Sequence, residues 1–107
     1  MKHLHNKLVR DRIPEIIEAN GQSCFYRTLN DQEYLDALDA KLSEELSEYL
    51  EDRSIEELAD LLEVIRSVIT ARGSTYEQVE SLRKAKAEKR GGFEKRIWLE
   101  ETDDSQK

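Results

Sequence analysis

Hydrophobic positions recur at helical steps over most of the chain. Ile13, Ile16 and Ile17 surround Pro14, a residue tolerated in the first turn of a helix, and Asn20-Gly21 supplies a stop; this pattern predicts a short first helix. Leu35, Leu38, Leu42, Leu46 and Tyr49 return every three or four residues and predict a second helix from about Asp31 to Asp52. Ser54-x-x-Glu57 has the form of a capping box and opens a third helix through Ile55, Leu58, Leu62, Ile65 and Ile69, closed at Gly73. Ser74-x-x-Glu77 repeats the device and opens a fourth, which runs to Arg90 and stops at Gly91-Gly92. Two runs break the helical pattern. Residues 22–29 (QSCFYRTL) and 93–99 (FEKRIWL) carry aromatic and β-favouring types and predict a short two-stranded element. The expected fold is all-α, a four-helix-type bundle with that small β element. It occupies one domain over residues 1–100, with the polar residues 101–107 as a frayed tail.

The third helix carries a second apolar stripe, Leu61, Val64 and Val68, on another side from Ile55, Leu58, Leu62, Ile65 and Ile69. A helix apolar on two sides is buried on two sides, either centrally in the bundle or against another subunit. A chain of 107 residues has little interior to cover both, so the pattern predicts a homodimer with Leu61, Val64 and Val68 in or near the interface.

Composition narrows the function classes. One cysteine, Cys24, excludes an intrachain disulfide and a four-thiolate zinc site, and reads as a small inward-facing strand residue. No run approaches the ~18 apolar residues of a membrane helix, and MKHLHNKLVRD lacks the apolar core of a signal peptide, so the expectation is a soluble, cytoplasmic chain with no membrane partner. With 24 acids against 17 bases, a nucleic-acid polymer is not the expected partner. The acids are also concentrated. Glu44, Glu45, Glu48, Glu51, Asp52, Glu56, Glu57, Asp60 and Glu63 stand against Arg53 alone, a local charge of −8 in a chain of −7. Like charge at that density is destabilising unless a cation or exposure relieves it.

Turning the second helix by about 100° per residue from Leu38 puts Glu45 roughly −20° away, on the flank of the apolar stripe, Glu48 at roughly −80°, and Glu44 further round toward solvent. Glu57 and Asp60 border the Leu61, Val64 and Val68 stripe of the third. Glu45/Glu48 and Glu57/Asp60 are each spaced i, i+3, so each pair presents its oxygens from one helix face. Two such helices side by side would make a four-carboxylate pocket suited to Mg²⁺, with Mn²⁺ as the second choice, and a polyphosphate is the usual companion of such a cation. A solvated acidic face fits the same spacing, and Glu57 serves equally as the capping-box acid of Ser54.

The order of these motifs resembles a known family. EELSE (44–48) followed by ELAD (57–60) is similar to the paired acidic motifs of the MazG-like all-α nucleoside triphosphate pyrophosphatases. KLVRDRIPEII near the start and KAEKRGGFEKRIWLE near the end are similar to the small phosphoribosyl-ATP pyrophosphohydrolase-like members, so the resemblance runs from Lys7 to Glu100. It implies a helical, Mg²⁺-dependent hydrolase that cleaves between the α and β phosphates of a nucleotide, with Glu45, Glu48, Glu57 and Asp60 as metal ligands. It also implies a homodimer or a dimer of dimers. Glu44, Glu45 and Glu48 are the candidates for taking a proton from the attacking water. Lys86 and Arg90, spaced i, i+4, with the backbone of Gly91, are candidates for the terminal phosphates, and Lys7 and Arg10 form a second set. For each of these a solvated basic face, or for Gly91 a helix stop, is the competing reading. The aromatics Phe25, Tyr26, Tyr34, Tyr49, Tyr76, Phe93 and Trp98 are the supply for a base-stacking pocket, and most of them are expected in the core. His3 and His5 have no assigned role. Nucleotide house-cleaning is the leading expectation; histidine biosynthesis through phosphoribosyl-ATP, or a noncatalytic acidic module that binds a basic partner, are the alternatives.

Overall fold

A computed structural model describes residues 1–104. Four helices form, α1 (Ile13–Ala19), α2 (Asp31–Asp52), α3 (Ile55–Ala71) and α4 (Tyr76–Arg90), and the described residues contain no strand. The fold class is all-α. The chain divides into two compact units, Met1–Tyr76 with α1 to α3, and a second that begins at Glu77 and holds nearly all of α4.

Local chemistry accounts for the helix ends. Pro14 lies in the first turn of α1, and Gly21 beyond its end takes φ +86°, where a Cβ would be strained. At the start of α2 the Asn30 side chain accepts from the Glu33 N–H at 2.9 Å and the Glu33 carboxylate accepts from the Asn30 N–H at 3.1 Å, a reciprocal capping box that the leucine periodicity does not announce. Arg27 donates to the same carboxylate at 3.2 Å. The Ser54 hydroxyl accepts from the Glu57 N–H at 3.2 Å, as its motif predicts. Between α2 and α3 stand only Arg53, left-handed at φ +58°, and Ser54. So short a link turns α3 back antiparallel along α2, and these two helices are packed together.

The hairpin core is Leu38 (3% exposed), Val64, Ile69 and the carboxylate residue Glu45 (7% exposed), with Leu35, Leu42, Tyr49, Leu61 and Val68 half-buried around them. This reverses the assignment of the two stripes of α3. Leu61, Val64 and Val68 face α2 within the chain itself, and of the other stripe Ile69 alone is buried, whereas Ile55, Leu58, Leu62 and Ile65 stay exposed, with Leu62 at 48%. The sequence offers two apolar sides of similar strength, and the side beside Glu57 and Asp60 is the one that α2 covers.

The predicted β element is absent. Residues 22–29 and 93–99 carry no strand, and a two-stranded ribbon is marginal in water without further packing. With no strand formed, the aromatics there are not core: Phe25, Tyr26, Phe93 (96% exposed) and Trp98 (84% exposed) lie open, and Cys24 is half-buried outside any strand. Of the tail, residues 101–104 are exposed and without helix or strand, and 105–107 lie outside the described residues.

Candidate acidic metal site

The site is built on the α2–α3 hairpin. Seen along α2 from Leu38, Glu44 and Glu48 lie on one side of the buried stripe and Leu46 and Leu50 on the other. In an antiparallel pair the same sense of rotation leads to the same side of the hairpin, so Asp60 of α3 joins the side of Glu44 and Glu48. The ion pairs agree with this placement. One N-terminal segment reaches both helices there, with Lys7 Nζ 3.9 Å from Glu44 Oε2 and Arg10 Nη2 donating to Asp60 Oδ1 at 2.8 Å.

Carboxylate oxygens converge in two overlapping groups. Glu44, Glu45 and Glu48 form one, and Glu45, Glu57 and Asp60 the other; within each group one oxygen per residue lies within 4.8 Å of the others. Glu45 belongs to both. The four residues predicted as metal ligands are thus brought together around one buried carboxylate. The donor set is oxygen alone, without histidine or thiolate, and so fits a hard divalent cation such as Mg²⁺ or Mn²⁺.

Three basic side chains surround these acids. Lys41, unremarked in the sequence reading, places its Nζ 3.1 Å from Glu44 Oε2 and 3.5 Å from Glu45 Oε2. Its signal was present, since Lys41-x-x-Glu44-Glu45 spaces a cation i, i+3 and i, i+4 from two acids on one helix. Five carboxylates against Lys7, Arg10 and Lys41 leave a formal charge of −2. Among the described residues neither Glu48 nor Glu57 has an ion pair.

Glu57 shows the strain of this arrangement. Burial first, then repulsion from Glu48, Asp60, Asp52 and Glu45, push its carboxyl above the ordinary value of 4.5. The folded chain therefore holds that proton more tightly than the unfolded one. The contribution to stability is full below pH 4.5 and is lost as pH rises through the raised value of Glu57. Glu33 moves the opposite way, held down first by the Arg27 hydrogen bond and then by the Asn30 N–H, and Glu80 likewise by Arg83. Their effect is confined below pH 4.5, where stability is lost as pH falls. In metal-free buffer the melting temperature is expected to decline as pH rises above 4.5, and Glu57→Gln is expected to flatten that decline. Equal slopes in both proteins would contradict the crowding of carboxylates around Glu57.

One groove adjoins the acids at Glu44, and a second lies further along the hairpin. The first, about 320 Å³, is lined by Asn6, Lys7, Leu8, Ala37, Ala40, Lys41 and Glu44. The other, about 340 Å³, is bounded by Tyr34, Glu63, Arg66, Ser67 and Thr70 and begins within a turn of Asp60 on α3. Lys86, Arg90 and Gly91 belong to the second unit, where both side chains are exposed near the basic end of α4. The Gly91 N–H donates to the Ala87 carbonyl at 2.8 Å and its φ is +85°, so this glycine ends the helix.

No family model matches the chain, and no solved structure matches it. A protein of Mycolicibacterium smegmatis (strain ATCC 700084 / mc(2)155), described only as uncharacterized, is 62% identical over 42 residues, which make up 39% of this chain and 43% of that protein. The match thus spans less than half the length of that relative.

Proposed function

We propose that this chain is a Mg²⁺-dependent nucleotide pyrophosphohydrolase that cleaves the α–β phosphate bond and releases a nucleoside monophosphate and pyrophosphate. The observation that carries the reading is the buried carboxylate of Glu45, shared by two groups of converging oxygens. Isolated surface glutamates gain nothing from such convergence, whereas a divalent cation offsets the repulsion and the burial together. The motif resemblance adds the substrate class. Glu45, Glu48, Glu57 and Asp60 would hold the ion, with Mn²⁺ as an alternative to Mg²⁺. Bound there, it would supply Lewis-acid polarisation of phosphate oxygens and a lowered pKa for water.

The remaining work falls to the chain's own side chains. Of Glu44, Glu45 and Glu48, only Glu48 is exposed and free of an ion pair among the described residues, which makes it the carboxylate best able to take a proton. Lys7 and Arg10 lie on the same side of the hairpin as these acids and offer positive charge to phosphate oxygens. Lys86, Arg90 and Gly91 keep a proposed phosphate role from the resemblance alone. The groove between Tyr34 and Arg66 offers room for the rest of the nucleotide. Among the described residues no helix is long and apolar enough to cross a membrane; the cytoplasmic role in nucleotide house-cleaning is proposed from the motif resemblance.

The bundle of this reading is completed by a second copy. Leu46, Leu50, Leu58, Leu62 and Ile65 lie exposed on the side of the hairpin away from the acids, and joining two hairpins there makes four helices around one core. Covering the exposed half of each side chain contributes on the order of 1 kcal/mol. The test of activity is a panel of nucleoside triphosphates and phosphoribosyl-ATP with Mg²⁺, scored by product. Monophosphate plus pyrophosphate is expected, the preferred substrate separating house-cleaning from biosynthesis, and diphosphate plus orthophosphate would overturn the reading.

A further inference from the structure

The geometry points to Lys41 as a charge that changes partners: with no cation present it neutralises Glu44 and Glu45, and with one present it serves, beside Lys7, a phosphate subsite in the groove between the N-terminal segment and α2. This rests on the metal reading above. The Lys41 ammonium lies 3.1 Å from Glu44 and 3.5 Å from Glu45, and its side chain is only 17% exposed. It therefore occupies ground that a divalent cation on Glu45 would contest, since like charges a few ångströms apart repel even at high dielectric. Lysine has a long flexible stem and a compact charge, so its head swings aside while the stem stays packed.

The groove is where it swings to. Lys7 and Lys41 both line it, and both ammoniums approach the same oxygen of Glu44, at 3.9 and 3.1 Å. Ala37 and Ala40 form its floor on α2, so no bulky side chain fills the space against that face. Two ammoniums converging on one carboxylate, beside open volume, are arranged as they would be for a phosphate oxygen entering in place of that carboxylate. Lys41 is thus a positioning residue in the metal-free chain and a phosphate contact in the loaded one.

The test is calorimetry on the full chain with two probes, MgCl₂ alone and then inorganic pyrophosphate at saturating Mg²⁺. Lys41→Met is expected to bind Mg²⁺ about tenfold more tightly, because a competing charge is gone, and to bind pyrophosphate about tenfold more weakly. Lys41→Arg should restore both values toward wild type. In metal-free buffer Lys41→Met should melt lower than wild type, and Mg²⁺ should close that gap. If the methionine variant does not fold, Lys41→Gln is measured in its place. Unchanged Mg²⁺ affinity in a variant of a wild-type chain that does bind Mg²⁺ would overturn the exchange of partners alone. A wild-type chain with no saturable Mg²⁺ binding would overturn the metal reading itself, and the inference with it.

Discussion

Val64→Asp is expected to unfold the chain, while Leu62→Asp, two residues away on the same helix, is expected to leave it folded and monomeric. Val64 is 8% exposed and packs where α3 meets α2; Leu62 is almost half exposed on the outer face. The first change loses about 1.5–3 kcal/mol of buried side chain and sets a carboxylate without a partner in the interior of the hairpin. A total above about 4 kcal/mol is comparable with the whole stability of a small domain. The second removes apolar area only where a second copy would sit, so its cost appears in association. Circular-dichroism melts and light scattering at micromolar concentration separate the two. A folded monomer from Val64→Asp beside an unchanged dimer from Leu62→Asp would return the interface to Leu61, Val64 and Val68.

That pair of residues also marks where sequence reading stops. The helix bounds were legible because their causes are local: Pro14 in a first turn, the leucine spacing of α2, the Ser54 cap, and glycines at positive φ after α1, α3 and α4. The convergence of the acids was legible for a related reason, because i, i+3 spacing fixes which oxygens share a face and Glu45 belongs to both of the groups that form. Which side of α3 meets α2 is decided by a partner helix, and a helix apolar on two sides does not name it. The contact of Arg10 with Asp60 joins residues 50 apart, and nothing in either local pattern announces it. The expected strands failed for the converse reason: Phe25, Tyr26 and Trp98 have the composition of a strand, but an extended run becomes one only when its backbone finds a partner. Lys41 had a local signal that is easy to pass over, since a lysine before two glutamates is ordinary on any exposed helix.

The largest effect on the site itself is expected from the cation. If Glu45, Glu48, Glu57 and Asp60 hold Mg²⁺ only in the folded chain, free metal at about 100 times Kd adds roughly 2.7 kcal/mol of stability. For a domain of this size that is a rise in Tm on the order of 10 °C. Asp60→Asn isolates the contribution. In metal-free buffer the variant weakens the exposed contact with Arg10, of the kind that contributes about 0–1 kcal/mol, and relieves one repulsion on Glu57, so its Tm should stay close to that of wild type. With Mg²⁺ it should gain far less, because one of the two oxygen groups has lost an anionic ligand. An acidic face that only attracts counterions would respond to Mg²⁺ as it does to NaCl at equal ionic strength, and the substitution would hardly change that response. The deciding measurement is the Tm of wild type and Asp60→Asn at fixed ionic strength, with and without Mg²⁺. A large rise in wild type with a small one in Asp60→Asn is the predicted result, and equal rises in the two proteins would contradict a metal site on this hairpin.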